Sequence, residues 1–322
     1  MKFGDRSRRP ERVRVALNSF RAALRSTLVG SKLSIRRGKK NVRRTIVGER
    51  RLDGVGLHTG RSASLQMRSG SPGSGIIFRV LWGEEVYEIP ARLDAVVGQR
   101  NATSLGRGDV RIDTVEHLLA SVSMMGLDDL IIDLQGGEPP AADGSAAPLL
   151  KALEAGETRV EVGPRPEIQL REEVMFKDGD VEVYAAPSPN FSVEYTVDFD
   201  TRAIGRQTIS FFNLDLETFR EEIAPARTFG FMRDFEALRA AGLAGGASLD
   251  NVVVIDGDRI LNASGVRWPD EFVRHKVLDL IGDLALLGAP LRAHLRVVRG
   301  GHAAHHAWMR ALRARPSAWG WA

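Results

Sequence analysis

From Arg44 onward apolar and polar residues alternate in the two-residue rhythm of half-buried strands. RRTIVGERRLDGVGLHTGRSASLQMRS reads as strands around a glycine-rich turn, and SGIIFRVLWGEEVYEIPAR as a hairpin. The rhythm lengthens to that of a helix in VRIDTVEHLLASVSMMG, which Gly126 stops, and LDDLIIDLQGG then reads as a strand. PAADGSAAPLLKALEAG adds a short helix ended by Gly156.

The second half has a similar grammar. REEVMFKDGDVEVYAAPSPNFSVEYTVDFD predicts antiparallel strands with a DGD turn, ISFFNLDLETFREEIAPARTFGFMRDFEALRAAG carries helical segments, and DNVVVIDGDRIL is a strand pair. A helix through FVRHKVLDLIGD ends near Gly288 and precedes the strand LRAHLRVVR. Each half thus holds a histidine early in a helix (His117, His275), a glycine stop and a strand, over 129–134 or 291–298. Two such units predict an α+β fold whose two helices meet in a central layer with corresponding positions facing one another. A boundary near Gly163–Arg165 gives domains over 44–164 and 165–315, preceded by an extension over 1–43 and followed by a tail over 316–322.

Charge separates the extension from the rest. Residues 1–44 hold 15 Lys or Arg against Asp5 and Glu11, a balance of +13. The remaining 30 basic and 39 acidic residues give −9, so the overall +4 describes neither part. The arm reads as a disordered extension, or as a start assigned too far upstream, and its charge also suits an anionic membrane surface. It is too charged and too poor in an apolar core for a secretory signal, and no nucleic-acid role is drawn from it. No apolar run approaches the roughly 18 to 20 residues that span a bilayer. The absence of cysteine rules out disulfides, thiolate metal ligands and a thiol nucleophile, leaving any metal to His, Asp or Glu.

Three stretches carry candidate chemistry. In DTVEHLL, 113–119, Asp113 suits an N-cap, Glu116 reads as returning to its amide in a capping box, and His117 as a surface or interface histidine. In FVRHKVLDLIGD, His275, Asp279 and Asp283 recur every four residues on a mostly apolar helix, within about 80° of arc. His275 and Asp279 can ligate one metal; equally, they can form an internal hydrogen bond, with Asp283 solvated at the helix end. In VVRGGHAAHHAW, His302 follows a Gly-Gly pair after a strand, where backbone freedom can present a side chain to a cleft. His305 and His306 lie beyond it on a helix, and His302 with His306 is a rival metal pair that no nearby carboxylate completes. Taken together, His117, His275 and Asp279 offer three ligands to a tetrahedral Zn²⁺ and leave a fourth position for water. Glu116 stands ready as base, His302 as general acid or oxyanion partner, and Asp283 as the group that orients it.

These stretches resemble the zinc-dependent UDP-3-O-acyl-N-acetylglucosamine deacetylases, which perform the committed step of lipid A synthesis. GVGLHTG (54–60), TVEHLLAS (114–121), DGSAAP (143–148), ARTFGFMRD (226–234), EFVRHKVLDLIGD (271–283) and GGH (300–302) occur in the family's order and span roughly 43–315. The resemblance implies two similar α+β domains with helices sandwiched between two sheets and the metal at their junction. It implies His117, His275 and Asp279 as zinc ligands, Glu116 as general base and His302 as general acid or electrostatic stabiliser. Thr228 matches the hydroxyl near the oxyanion and Asp283 the carboxylate behind the histidine. Lys276 and His58 match residues near the substrate's polar groups, Phe229 and Phe231 aromatics of the sugar site, and Asp198 and Phe199 a uridine pocket.

The implied reaction is hydrolysis of the N-acetyl group of UDP-3-O-acyl-N-acetylglucosamine, by a cytoplasmic monomer that can touch the inner-membrane surface. The chain departs from the pattern at Val181, where many members place a lysine, and in AAHHAW, where members commonly carry an Asn-rich stretch. Two other readings stand beside it: a deacetylase of the same fold acting on a different N-acetylated sugar conjugate, and a non-catalytic binding paralogue. The set Glu116, His117, His275, Asp279 and His302 speaks against the second, since a binder has no need of a base beside an open metal site.

Overall fold

The computed structural model describes residues 42–99 and 101–322; of the basic extension, residues 1–41 lie outside the described part. Two long sheets organise the chain. The first contains β1 (Arg50–Val55), β2 (Ser62–Ser69), β3 (Ile76–Trp82), β4 (Glu85–Pro90) and β5 (Leu130–Gln135), in the order β1-β2-β5-β3-β4. β5 runs antiparallel to β2 and parallel to β3, because the chain returns to the sheet only after crossing helix α1 (Glu116–Met124). α2 (Ala147–Glu154) follows and packs on β1 and α1.

The second sheet opens with the short strand β6 (Ile168–Leu170) and continues through β7 (Val174–Asp178), β8 (Val181–Pro187), β9 (Ser192–Asp198), β10 (Arg206–Phe211) and β11 (Leu291–Val298). β11 is antiparallel to β8 and parallel to β9, β7 flanks β8, and β10 flanks β9. The core order β7-β8-β11-β9-β10 therefore repeats the first sheet strand for strand. The returning strand is again preceded by a helix, α4 (Glu271–Leu284), and followed by another, α5 (His302–Arg313). β6 adds parallel to the start of β11, and the closing strand β12 (Trp319–Trp321) pairs with β6.

α4 packs on β9 and β10 with one face and on α1 with another, so the layers run sheet, helix, helix, sheet. This is the arrangement expected of two βα units, and the reason is burial. Every residue of α1 from Glu116 to Val122 is buried, as are twelve of the fourteen in α4, so neither helix has a face to give to water. One apolar cluster runs through both halves, joining Leu65 and Ile132 of the first sheet, Leu118 of α1, Leu280 of α4 and Leu295 of the second sheet. Gly282 lets the helices approach closely: a Cβ there would collide with the Glu116 carbonyl oxygen.

The glycine stops fall as expected, Gly126 at φ 67° and Gly288 at φ 80°, both left-handed. Less regular is the stretch after β10, where the expected helical content reduces to a short helical stretch over 216–223 and α3 (Met232–Ala240). Between them Phe229–Phe231 pairs parallel with Val253–Asp256, which turns back on Arg259–Ile260. At the place of this β-α-β insertion in the order, the first half carries instead a small antiparallel sheet of Val96–Gly98, Ser104–Arg107 and Val110–Ile112, with no helix among the described residues between its strands.

Candidate active site

The junction of α1, α4 and the start of α5 gathers an unusual density of buried ionisable groups: Glu116, His117, His275, Asp279, Asp283, His302, His305 and His306. The approach to α1 explains how Glu116 reaches it. Thr114 adopts φ 57°, rare outside glycine, and its hydroxyl donates to the buried Glu138 carboxylate at 3.1 Å. The expected capping box does not form. Asp113 instead accepts from Ser104 Oγ (2.5 Å) and Arg111 Nε (2.6 Å), while Glu116 Oε2 turns inward to accept the Thr103 amide at 3.0 Å. A second expectation also fails, since Asp283 is completely buried rather than solvated at the helix end.

His117 from α1 meets His275 and Asp279 from α4. Asp279 Oδ1 lies 3.6 Å from His117 Nε2 and 3.4 Å from His275 Nε2, and the two rings stand edge to face at 5.0 Å. Two donors about 2.0 to 2.1 Å from one tetrahedral ion sit roughly 3.3 to 3.4 Å apart, so this spacing fits a shared metal. The protonation pattern fits as well. His275 Nδ1 donates to the Ala226 carbonyl at 3.0 Å, which leaves the Nε2 lone pair turned toward the Asp279 carboxylate. Burial lowers the His275 pKa to about 4, so the ring is neutral at pH 7. A lone pair facing a carboxylate oxygen is an arrangement a shared cation stabilises. Burial works against the Asp279 charge, but Lys276 above all outweighs it and holds the carboxyl well below its ordinary range. Lys276 Nζ donates to Asp279 Oδ2 at 2.8 Å.

His302 stands on the other side of Glu116. Its Nε2 is 3.8 Å from Glu116 Oε1 and 4.0 Å from Asp279 Oδ2, while Nδ1 donates to Asp283 Oδ2 at 2.8 Å. Burial opposes a charge on His302, but Asp283, through its charge and its hydrogen bond, together with Glu116 and Asp279 raises the pKa to about 9. Burial pushes the Glu116 carboxyl up against the opposing pull of His302 and His117. The pair is therefore a carboxyl shifted toward neutrality beside an imidazole held as the cation, the division of labour that acid–base chemistry at neutral pH requires.

Comparison with known proteins agrees with this chemistry. The family model described as UDP-3-O-acyl N-acetylglycosamine deacetylase matches residues 43–314. Proteins named UDP-3-O-acyl-N-acetylglucosamine deacetylase from Myxococcus xanthus and Syntrophotalea carbinolica are each 42% identical over 268 residues, covering 83% of this chain and 84% and 86% of theirs. One of the same name from Coxiella burnetii is 39% identical over 278 residues, or 86% of this chain and 91% of its own. The chain belongs to this deacetylase family. It is thereby a hydrolase of a metalloenzyme family, and its buried His, Asp and Glu clusters are of the kind that can hold an ion.

Around the deacetylase centre the remaining anticipated residues divide into two sets. Thr228 lines a small cleft together with His117, Leu57, Thr114 and Gly144, and its amide donates to the Gly144 carbonyl at 2.8 Å. Phe229 stacks edge-on against His275 (6.1 Å) and Phe199 (5.6 Å), Phe231 lies 5.7 Å from Phe199, and Lys276 Nζ stands 5.4 Å over Phe229. These aromatics form a continuous wall leading away from His117, His275 and Asp279. Asp198, at the end of β9, pairs with Arg206 across the hairpin at 3.2 Å. His58 is less directly placed. Its carbonyl accepts the Gly245 amide of the insertion, its own amide donates to Glu138, and it is the neighbouring Leu57 that lines the cleft with His117.

Sequence reasoning missed several members of the centre. Thr103 donates to both the Glu116 carboxylate, through its amide, and the Asp283 carboxylate, through its hydroxyl, yet it lies in a stretch with no local signature. The pair His302 and His306 does have a carboxylate at hand: Asp283 Oδ1 is 3.3 Å from His306 Nε2. Because Asp283 comes from α4, nineteen or more residues away in sequence, proximity along the chain could not reveal it. Tyr195 of β9 and Gln99 complete the ring of partners, at 3.0 Å from His305 and 3.1 Å from His306.

Proposed function

We infer that the protein hydrolyses the N-acetyl group of UDP-3-O-acyl-N-acetylglucosamine to acetate and the free amine, the committed step of lipid A synthesis, with zinc as its metal. The observation that carries the reading is the convergence of His117, His275 and Asp279 beside Glu116 and His302 at the junction of α1 and α4. Two imidazoles and one carboxylate suit Zn²⁺, and three ligands leave a position open for catalysis. His117, His275 and Asp279 would hold the zinc, which would supply Lewis acidity toward the acetyl carbonyl and lower the pKa of a water to about 7.

The side chains divide the rest of the work. We assign Glu116 Oε1 as the acceptor of the attacking water's proton; burial raises its pKa toward the working pH. His302 Nε2, protonated because Asp283 holds Nδ1–H, gives its proton to the departing sugar nitrogen. The Thr228 hydroxyl, in the same cleft as His117, is the donor we assign to the negative charge that develops on the acetyl oxygen. Lys276 and His58 take the substrate's polar groups, Phe229 and Phe231 the sugar, and Asp198 with Phe199 the uridine; the aromatic wall from His275 to Phe199 supports this direction.

We further place the protein in the cytoplasm as a monomer in peripheral contact with the inner membrane, on the strength of its family and the +13 of residues 1–44. The deciding experiment is acetate release from UDP-3-O-acyl-N-acetylglucosamine, with and without a chelator, followed by readdition of Zn²⁺, Fe²⁺ or Mg²⁺. Chelator-sensitive release restored by Zn²⁺ is expected, and release indifferent to the chelator contradicts the reading.

A further inference from the structure

Beyond His302, the junction holds two buried histidines that touch Asp283 and a tyrosine behind one of them, to which the proposed mechanism gives no task. Asp283 is the hub. Its Oδ2 lies 2.8 Å from His302 Nδ1 and 2.7 Å from His305 Nδ1, and its Oδ1 meets the Thr103 hydroxyl and His306 Nε2. The histidines, chiefly His302, overcome burial and keep Asp283 well below the ordinary carboxyl range, so it can only accept, and both Nδ1 atoms must donate to the same oxygen. Sharing one oxygen between two donors makes the position of that oxygen depend on both.

His305 is itself held from behind. Its Nε2 lies 3.0 Å from the Tyr195 hydroxyl, with the two rings edge to face at 6.0 Å. Burial drives the Tyr195 pKa well above 10 and lowers that of His305, so the phenol donates and the neutral imidazole accepts at Nε2. That fixes the tautomer that presents Nδ1–H to Asp283. Gly300 clears the space for this contact, because a Cβ there would press on both the Tyr195 hydroxyl and His305 Nε2.

We propose that His305 is a positioning residue: locked by Tyr195, it anchors Asp283 Oδ2 at the point where that oxygen also takes the Nδ1 proton of His302, and so aims the His302 ring. The proposal rests on the reading of His302 as proton donor. It assigns His305 an effect on turnover and none on substrate affinity, since no substrate contact passes through it.

The test compares wild-type holoprotein with His305→Leu, His305→Asn and Tyr195→Phe, measuring acetate release and metal content. It also follows the downfield imidazole N–H resonance of ¹⁵N-histidine-labelled protein, assigned to His302 by its loss in His302→Ala. Misaim of a catalytic group costs on the order of 10- to 100-fold, so His305→Leu should lose that much kcat with KM within about twofold. Asn keeps an amide donor for Asp283 and should restore most of the loss, while Tyr195→Phe should fall between wild type and His305→Leu. The His302 resonance should persist in His305→Asn and shift or broaden away in His305→Leu. An unchanged resonance and kcat in His305→Leu, equal losses in Leu and Asn, a loss expressed in KM, or a lost equivalent of metal each overturns the proposal. Should wild-type protein release no acetate, the functional reading fails while the resonance comparison still decides the positioning role; should His305→Leu not fold, the Tyr195→Phe comparison decides it.

Discussion

At the scale of single residues the site depends on keeping opposite protonation states in neighbouring buried groups. Replacing His302 by Ala should lower kcat by roughly 10²- to 10⁴-fold, the usual weight of a proton donor, and leave metal content at the wild-type level. Loss of metal in that variant would make His302 a ligand instead. Asp283 is what holds His302 near a pKa of about 9, against its ordinary 6.5. A group raised in this way stays protonated to higher pH, and activity that needs the imidazolium is lost as pH rises through the raised value. Asp283→Asn removes the charge, so the alkaline limb of the kcat profile should move to lower pH; a limb that does not move would detach Asp283 from His302. Much of this residue-scale picture was legible. The spacing of His275, Asp279 and Asp283, the matching His117 in the other half, and the Gly-Gly before His302 all pointed to one place. What escaped was Thr103, because its role depends on an amide given to Glu116 and a hydroxyl delivered across 180 residues to Asp283.

At the scale of elements the decisive contact is the crossing of α1 and α4. Gly282 faces the Glu116 carbonyl with no room for a methyl group. Gly282→Ala should therefore force the helices apart, costing about 1 to 3 kcal/mol in denaturant unfolding and disproportionately more in turnover, because Glu116 moves with the backbone that is pushed. Equal stability in the alanine variant would show that the helices are not packed as tightly as described. Period and punctuation made these helices and their following strands readable, including the strand over 291–298, which forms with those bounds. The capping box was misread for a physical reason: Glu116 suits the third helical position, but the buried amide of Thr103 offers it a better partner than its own N-terminus. In the insertion over 229–260 the strand pair in DNVVVIDGDRIL forms as read, whereas Phe229–Phe231, read within a helical stretch, is a strand of three residues too short to show a period.

At the scale of the whole molecule, the two sheets repeat one strand order, and the candidate ligands are split between the repeats, His117 from the first and His275 with Asp279 from the second. A bound ion then bridges the halves, and stability should rise with free Zn²⁺ as RT ln(1 + [L]/Kd), about 2.7 kcal/mol at a hundred times Kd. Scanning calorimetry of the chelated protein across a Zn²⁺ series measures this, and His117→Ala should abolish the dependence. A melting temperature insensitive to Zn²⁺ in wild-type protein would argue against a shared ion.

In the proposed mechanism one repeat supplies the base and one ligand, Glu116 and His117, and the other two ligands and the acid, His275, Asp279 and His302, so neither alone would own a working reaction centre. On those roles a newly made or partly unfolded chain whose halves have not yet met would be inert toward amides. The same would hold for the separated pieces of a chain nicked between them. Hydrolytic power would then appear only on docking, so activity regained by such a nicked pair would serve as a reporter of reassembly.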